Sequence, residues 1–272
     1  MLKILRMYEV WVFLALIVVV NTLFVLGIER GFLPNRLYST GRFLLLGATL
    51  IFIILISRGL NGVRELLMPL LKWRIPLYWY ALALSWVAVI AAITLIGKGI
   101  VTGNGFAELK LDFGLAGNKR LMFNIFIGAL IGEIVWVGYA VGKLSSRMTP
   151  YSASLVVGFF WTLWWMPMVV FNMGVIPDLP FFPLLANMMG AAIICGFVYM
   201  HTGSSLCVFI LQLLLNLNLL FFPLSPGVAG IPAYTAFSVL YFVAGTLMYV
   251  VFGPKPLFGF KSVGLNGGEN PS

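Results

Sequence analysis

Eight stretches of this chain are apolar on every face and most are long enough to cross a bilayer. They run over residues 10–28, 43–57, 77–97, 121–142, 153–170, 182–200, 206–222 and 234–252. A membrane-spanning helix needs roughly 17–25 residues. The second stretch is short, and its flanking Arg42 and Arg58 are positioned to lengthen it by snorkelling to the headgroups. The runs do not alternate between polar and apolar, which excludes a β-barrel. The expected fold is therefore all-α: a polytopic transmembrane helical bundle of about eight spans.

Composition supports this. Charged residues make up 9% of the 272-residue chain, against about 25% in an ordinary soluble domain. The net charge of +9 arises from scarce acids rather than from dense basic patches, so nucleic acid is not an expected partner. The first stretch is too long for a signal-peptide core and is read as a retained anchor. With an inside N-terminus, Lys and Arg divide 10 to 7 in favour of the inner segments. That places both termini in the cytoplasm, and a bacterial-type plasma membrane is the expected location. Residues 1–260 are expected to form one membrane domain, and the Gly/Asn/Ser-rich tail 261–272 to be disordered.

Between the second and third stretches, Leu60, Val63, Leu66, Leu67, Leu70 and Leu71 recur at helical spacing, with Arg64, Glu65, Lys72 and Arg74 mostly between them. This pattern predicts an amphipathic helix lying in the interface against anionic headgroups, interrupted at Pro69.

Few residues offer chemistry. Glu133 is the one ionisable residue deep inside a predicted span, where an acid costs a few kcal/mol unless paired or protonated. Gln212 and Asn216 are four apart and share a helix face. Such amides join helices or orient an oxyanion. Trp161, Trp164 and Trp165 also share a face, next to Pro167, which is expected to interrupt or kink that helix. A catalytic zinc site usually takes two or three histidines or cysteines in their place, and His201 is the single histidine. Cys195 and Cys207 fit no metal-binding spacing. No cofactor and no metal are expected.

The order of an amphipathic connector, a Glu-bearing helix, a Trp-rich helix and an amide-bearing helix resembles the CAAX protease and bacteriocin-processing (CPBP, or Abi) family of intramembrane endopeptidases, over residues 58–222. The family motif EExxxR, in one branch EExGWRGY, corresponds to GEIVWVGY from Gly132 to Tyr139. Glu133, Trp136, Gly138 and Tyr139 match; Gly132 replaces the first glutamate and Val137 the arginine. The motif WxLWHxP corresponds to WTLWWMP, with Trp165 in place of histidine. HxxxN corresponds to Gln212 and Asn216, with glutamine in place of histidine. The resemblance implies that the first glutamate and a histidine would activate a water, and that the other histidine and the asparagine would steady the oxyanion.

Tryptophan has no basic nitrogen, and glycine has no side chain. Losing several members of a cooperating set leaves little rate. The chain is thus read as a catalytically inactive member, a pseudoenzyme. It would keep the framework as a scaffold or binding partner for another membrane protein, a hydrophobic peptide or a lipid-like ligand among the membrane lipids. Glu133, Asn216 and Gln212 form its relict site. Two rival readings are an active endopeptidase using those three residues, and a transporter or a transporter's accessory subunit.

Overall fold

A computed structural model describes residues 2–173 and 179–253, with side chains from Tyr8 onward. The expected disorder of residues 261–272 falls outside them. Eight helices long and apolar enough to cross a membrane make up an all-α bundle, with no strand among the described residues. They are α1 (Leu2–Glu29), α2 (Tyr38–Leu67), α3 (Leu77–Thr102), α4 (Lys119–Leu144), α5 (Pro150–Val170), α6 (Phe181–Thr202), α7 (Ser205–Phe221) and α8 (Ile231–Phe252). The chain is an integral membrane protein.

Polar caps and helix breakers fix the ends. Thr149 caps α5 by accepting from Ser152 N–H, with Pro150 following. Ser204 caps α7 by accepting from Cys207 N–H at 3.2 Å. Gly203 ends α6 at φ 60°, a left-handed conformation that a side chain would strain.

The most buried helix is α6, which lies between α5 and α8. Small residues allow the approach: a Cβ on Gly158 would sit 2.6 Å from the Met189 Cα, and one on Gly190 2.9 Å from the Phe242 nitrogen. Helix α7 packs against α3 and α4, while α2 joins α1 to α4.

Helix α2 differs most from the sequence expectation. It begins at Tyr38, so Arg42 lies inside it, and it continues beyond Ser57 to a kink at Gly59 (φ 66°). Arg42 does not snorkel. It is 2% exposed and donates from Nε to Asn21 Oδ1 (2.9 Å), from Nη1 to the Tyr38 hydroxyl (3.0 Å) and from Nη2 to the Trp164 carbonyl (2.9 Å). Its guanidinium also lies over the rings of Trp164 and Trp165, at 4.1 and 4.8 Å. Hydrogen bonds and aromatic faces replace the water that snorkelling would have supplied.

After the kink, a helical segment runs to Leu67 and tightens into a 3₁₀ turn over Met68–Leu71 containing Pro69. Leu66 is buried, while Leu60, Leu67, Met68 and Leu71 are exposed. Helix α5 is not interrupted at Pro167; it continues one turn further and ends at Val170.

A second buried charge was not anticipated. The Glu9 carboxylate on α1 accepts from Ser57, from the Tyr139 hydroxyl (2.9 Å) and from Arg58 Nη2 (3.1 Å). Arg58 Nη1 also reaches Glu65 at 3.4 Å, across the kink.

Candidate functional site

The site is built on a change of helical pitch. Asn118 caps α4 by accepting from Leu121 N–H. The helix is regular to Gly132, then π-helical over Glu133–Val141, then regular again. Such widened turns occur often at functional positions. Glu133 is the first residue of this stretch and is fully buried.

Helix α7 supplies the facing wall. Ser205 Oγ and Glu133 Oε1 flank one point, lying 3.2 and 3.6 Å from where a Cβ on residue 138 would be. Gln212 is 2% exposed, and its Oε1 lies 3.0 Å from the position a Cβ on residue 132 would take. Glycines at 132 and 138 thus leave room for the two polar side chains of α7. Cys195 and Tyr199 on α6 and Cys207 on α7 lie within electrostatic reach of the carboxyl.

Several polar atoms here are unpaired. The Glu133 carboxyl has the Ser205 hydroxyl as its polar neighbour, and among the described residues Gln212 Nε2 and Trp136 Nε1 have no hydrogen-bond partner. Unpaired buried groups of this kind are costly and mark a site more often than a packing accident. Trp136 connects this pocket to the next: it stacks on Trp161 at 5.8 Å and meets Trp164 edge-on at 6.2 Å.

The sequence-predicted residues therefore divide. Gly132 and Gln212 come together, and Glu133 lies beside Ser205. Val137 is fully buried. Trp165 lies in the neighbouring aromatic cage, edge-on to Trp164 and under Arg42. Asn216 stands one turn beyond Gln212, is exposed, and donates from Nδ2 to the Gln212 carbonyl at 3.1 Å. Sequence reasoning missed Ser205, which reads as a helix-start residue, and Arg42, which reads as a span end.

Chemically, this region offers one carboxyl, one amide, one hydroxyl and two thiols, all buried. The His201 ring packs on Phe197 (4.2 Å) and Trp79 (5.5 Å), and its Nδ1 contacts the Phe197 carbonyl at 2.8 Å. Among the described residues, no group of three His, Cys, Asp or Glu side chains could hold a metal ion.

Residues 118–218 match the family described as Type II CAAX prenyl endopeptidase Rce1-like. A curated relative, CAAX prenyl protease 2 from Methanococcus maripaludis, is 30% identical over 107 residues, 36% of this chain. The chain matches 39% of that relative's length. The matched stretch begins at the cap of α4 and ends within α7, so it contains the whole pocket.

Proposed function

We propose that the chain, through its central residues 118–218, is a catalytically inactive member of the CAAX protease and bacteriocin-processing family acting as a membrane scaffold. The observation that carries this reading is the enclosure of Glu133. Its carboxyl is fully buried, with the Ser205 hydroxyl as its polar neighbour. A general base must reach the water it activates, and a general acid must return the proton. Serine and glutamine do neither near neutral pH.

The scaffold reading assigns the partner contact to the rim of the pocket. Asn216 is an exposed amide on an apolar span, with which another membrane protein's helix could pair. The membrane is a bacterial-type plasma membrane with both termini cytoplasmic, in accord with the distribution of Lys and Arg.

One observation favours an active endopeptidase: Glu133 is a fully buried carboxyl beside the Ser205 hydroxyl. Purified protein should be given a quenched, prenylated peptide in mixed micelles, with Glu133→Gln as control. The inactive reading expects no cleavage above background in either. Cleavage by the natural protein that disappears in the control would overturn it.

A further inference from the structure

The segment that joins α2 to α3 is tied at both ends and held by little between them. At its start Arg58 spans the kink: Nη2 pairs with the buried Glu9 carboxylate at 3.1 Å and Nη1 with Glu65 at 3.4 Å. Lys143, near the end of α4, stands within electrostatic reach of Arg58, Glu9 and Glu65. At the far end the Lys72 carbonyl accepts from Ser204 Oγ, and Lys72 Nζ lies 3.1 Å from where a Cβ on Gly203 would be. That ammonium meets the C-terminal end of α6, where helix carbonyls lack helical partners.

Between these ties, Gly62 and Leu66 are the buried residues of the stretch 60–71. A segment with few buried apolar contacts opens locally more readily than a bundle core. Gly59 holds φ 66°, and a Cβ there would meet nothing within 4 Å. The backbone therefore has room to swing at that point.

The far tie lies next to the relict site. Ser204 immediately precedes Ser205, whose hydroxyl neighbours the Glu133 carboxyl. Ser205 is the first residue of α7, so the carboxyl sits at the level where that helix starts. Cys207 follows in the same turn and donates from Sγ to the Trp79 carbonyl at 3.6 Å.

We propose that residues 60–72 form a strap that seals Glu133 and Ser205 from the aqueous phase, hinged at Gly59 and latched by the pairs Arg58–Glu65 and Lys72–Ser204. The strap deepens the inactive reading, which rests on the enclosure of Glu133. Thiol labelling reports access and peptide cleavage reports chemistry, so either can fail without the other.

The two buried native thiols supply the test. The full chain in detergent is treated with N-ethylmaleimide, and adducts at Cys207 and Cys195 are timed separately by peptide mass spectrometry. Glu65→Lys, at a side chain 70% exposed, removes one latch and sets a further cation beside Arg58 and Lys143. It should speed Cys207 modification about fivefold. Gly59→Ala disfavours the left-handed hinge and favours a straight α2 that carries the strap away, so it should act in the same direction and by a similar factor. Cys195, about two turns inside the end of α6, should keep its natural rate in both variants. Glu29→Lys, at the opposite end of α1 from Glu9, should leave both thiols unchanged. Unchanged Cys207 labelling in either strap variant would overturn the proposal. So would an acceleration shared equally by Cys195 or reproduced by Glu29→Lys.

Discussion

The guanidinium carbon of Arg42 lies 4.1 Å over the indole of Trp164 while Nη2 donates to the carbonyl of the same residue. Ring face and carbonyl of one tryptophan thus hold a buried cation that, among the described residues, pairs with no carboxylate. Arg42→Ala would leave Asn21 Oδ1, the Tyr38 hydroxyl and the Trp164 carbonyl without that donor. Unpaired buried acceptors cost about 1–3 kcal/mol each. Allowing for partial re-pairing, a loss of about 3 kcal/mol is expected, read as a lower unfolding temperature in detergent. Arg42→Lys should recover only part of it, because an ammonium cannot stack or fork as a guanidinium does.

Glu9 makes a different prediction. Arg58 is its cationic partner, and breaking a buried pair from one side costs about 3–5 kcal/mol. The Arg58 side chain is 21% exposed, so solvent reduces the loss, and Arg58→Met should fall at or below the low end of that range. The double variant Glu9→Gln/Arg58→Met should regain most of it, because the stranded charge is gone. A strictly additive double variant would show that the two side chains are not coupled.

Two glycines provide a packing test with an internal control. A Cβ at 158 meets the backbone of Met189 at 2.6 Å, whereas one at 97 meets nothing within 4 Å. Gly158→Ala should cost about 1–3 kcal/mol through overpacking. Gly97→Ala, inside α3, should be neutral or stabilise by roughly 0.5–1 kcal/mol. Thermal unfolding of both variants in one detergent checks the contrast.

Outside the spans, Glu108 tethers the long α3–α4 loop. Its carboxylate accepts from Lys98 Nζ and from Asn104 Nδ2, each at 2.8 Å. The Lys98 contact, then that of Asn104, holds its pKa below the usual glutamate range. A depressed folded-state value means that the tether is fully present above the unfolded glutamate value of about 4.3. It is lost as pH falls below that value through the folded one. Proteolysis of residues 103–118 should therefore rise only in that acid window, and Glu108→Gln should abolish the pH dependence.

Restoring the family's residues tests the site directly. Gly132→Glu alone should clash with Gln212, whose Oε1 already stands 3.0 Å from the new Cβ. The pair Gly132→Glu/Gln212→His should be better tolerated than the single change, as judged by the fraction of monodisperse protein. If both variants fold equally well, residues 132 and 212 do not compete for one space.

The bundle was legible because bilayer physics leaves long, uniformly apolar runs that periodicity cannot disguise. The limits of α2 were not, because Arg42 resembles a span end in one dimension and becomes an interior residue only when Asn21, Tyr38 and Trp164 arrive from 4 to 122 positions away. Glu9 was hidden similarly: it sits at the edge of an apolar run, and its partners Ser57, Arg58 and Tyr139 are remote in sequence. Within the site, a four-residue spacing joined Gln212 to Asn216, but spacing cannot tell which of the two meets α4. The close approach at Gly132 decides that: Gln212 is the one that meets α4 there.

The loosened winding between Glu133 and Val141 gives α4 two azimuths in place of one. Its first residue turns toward Ser205, and six residues later Tyr139 turns to the carboxylate of α1. A wheel projection drawn through the whole span with 3.6 residues per turn would rotate everything past Glu133 out of place. Deleting one residue from this stretch would therefore act as a rotation of its far half, uncoupling Tyr139 from Glu9 without touching either side chain.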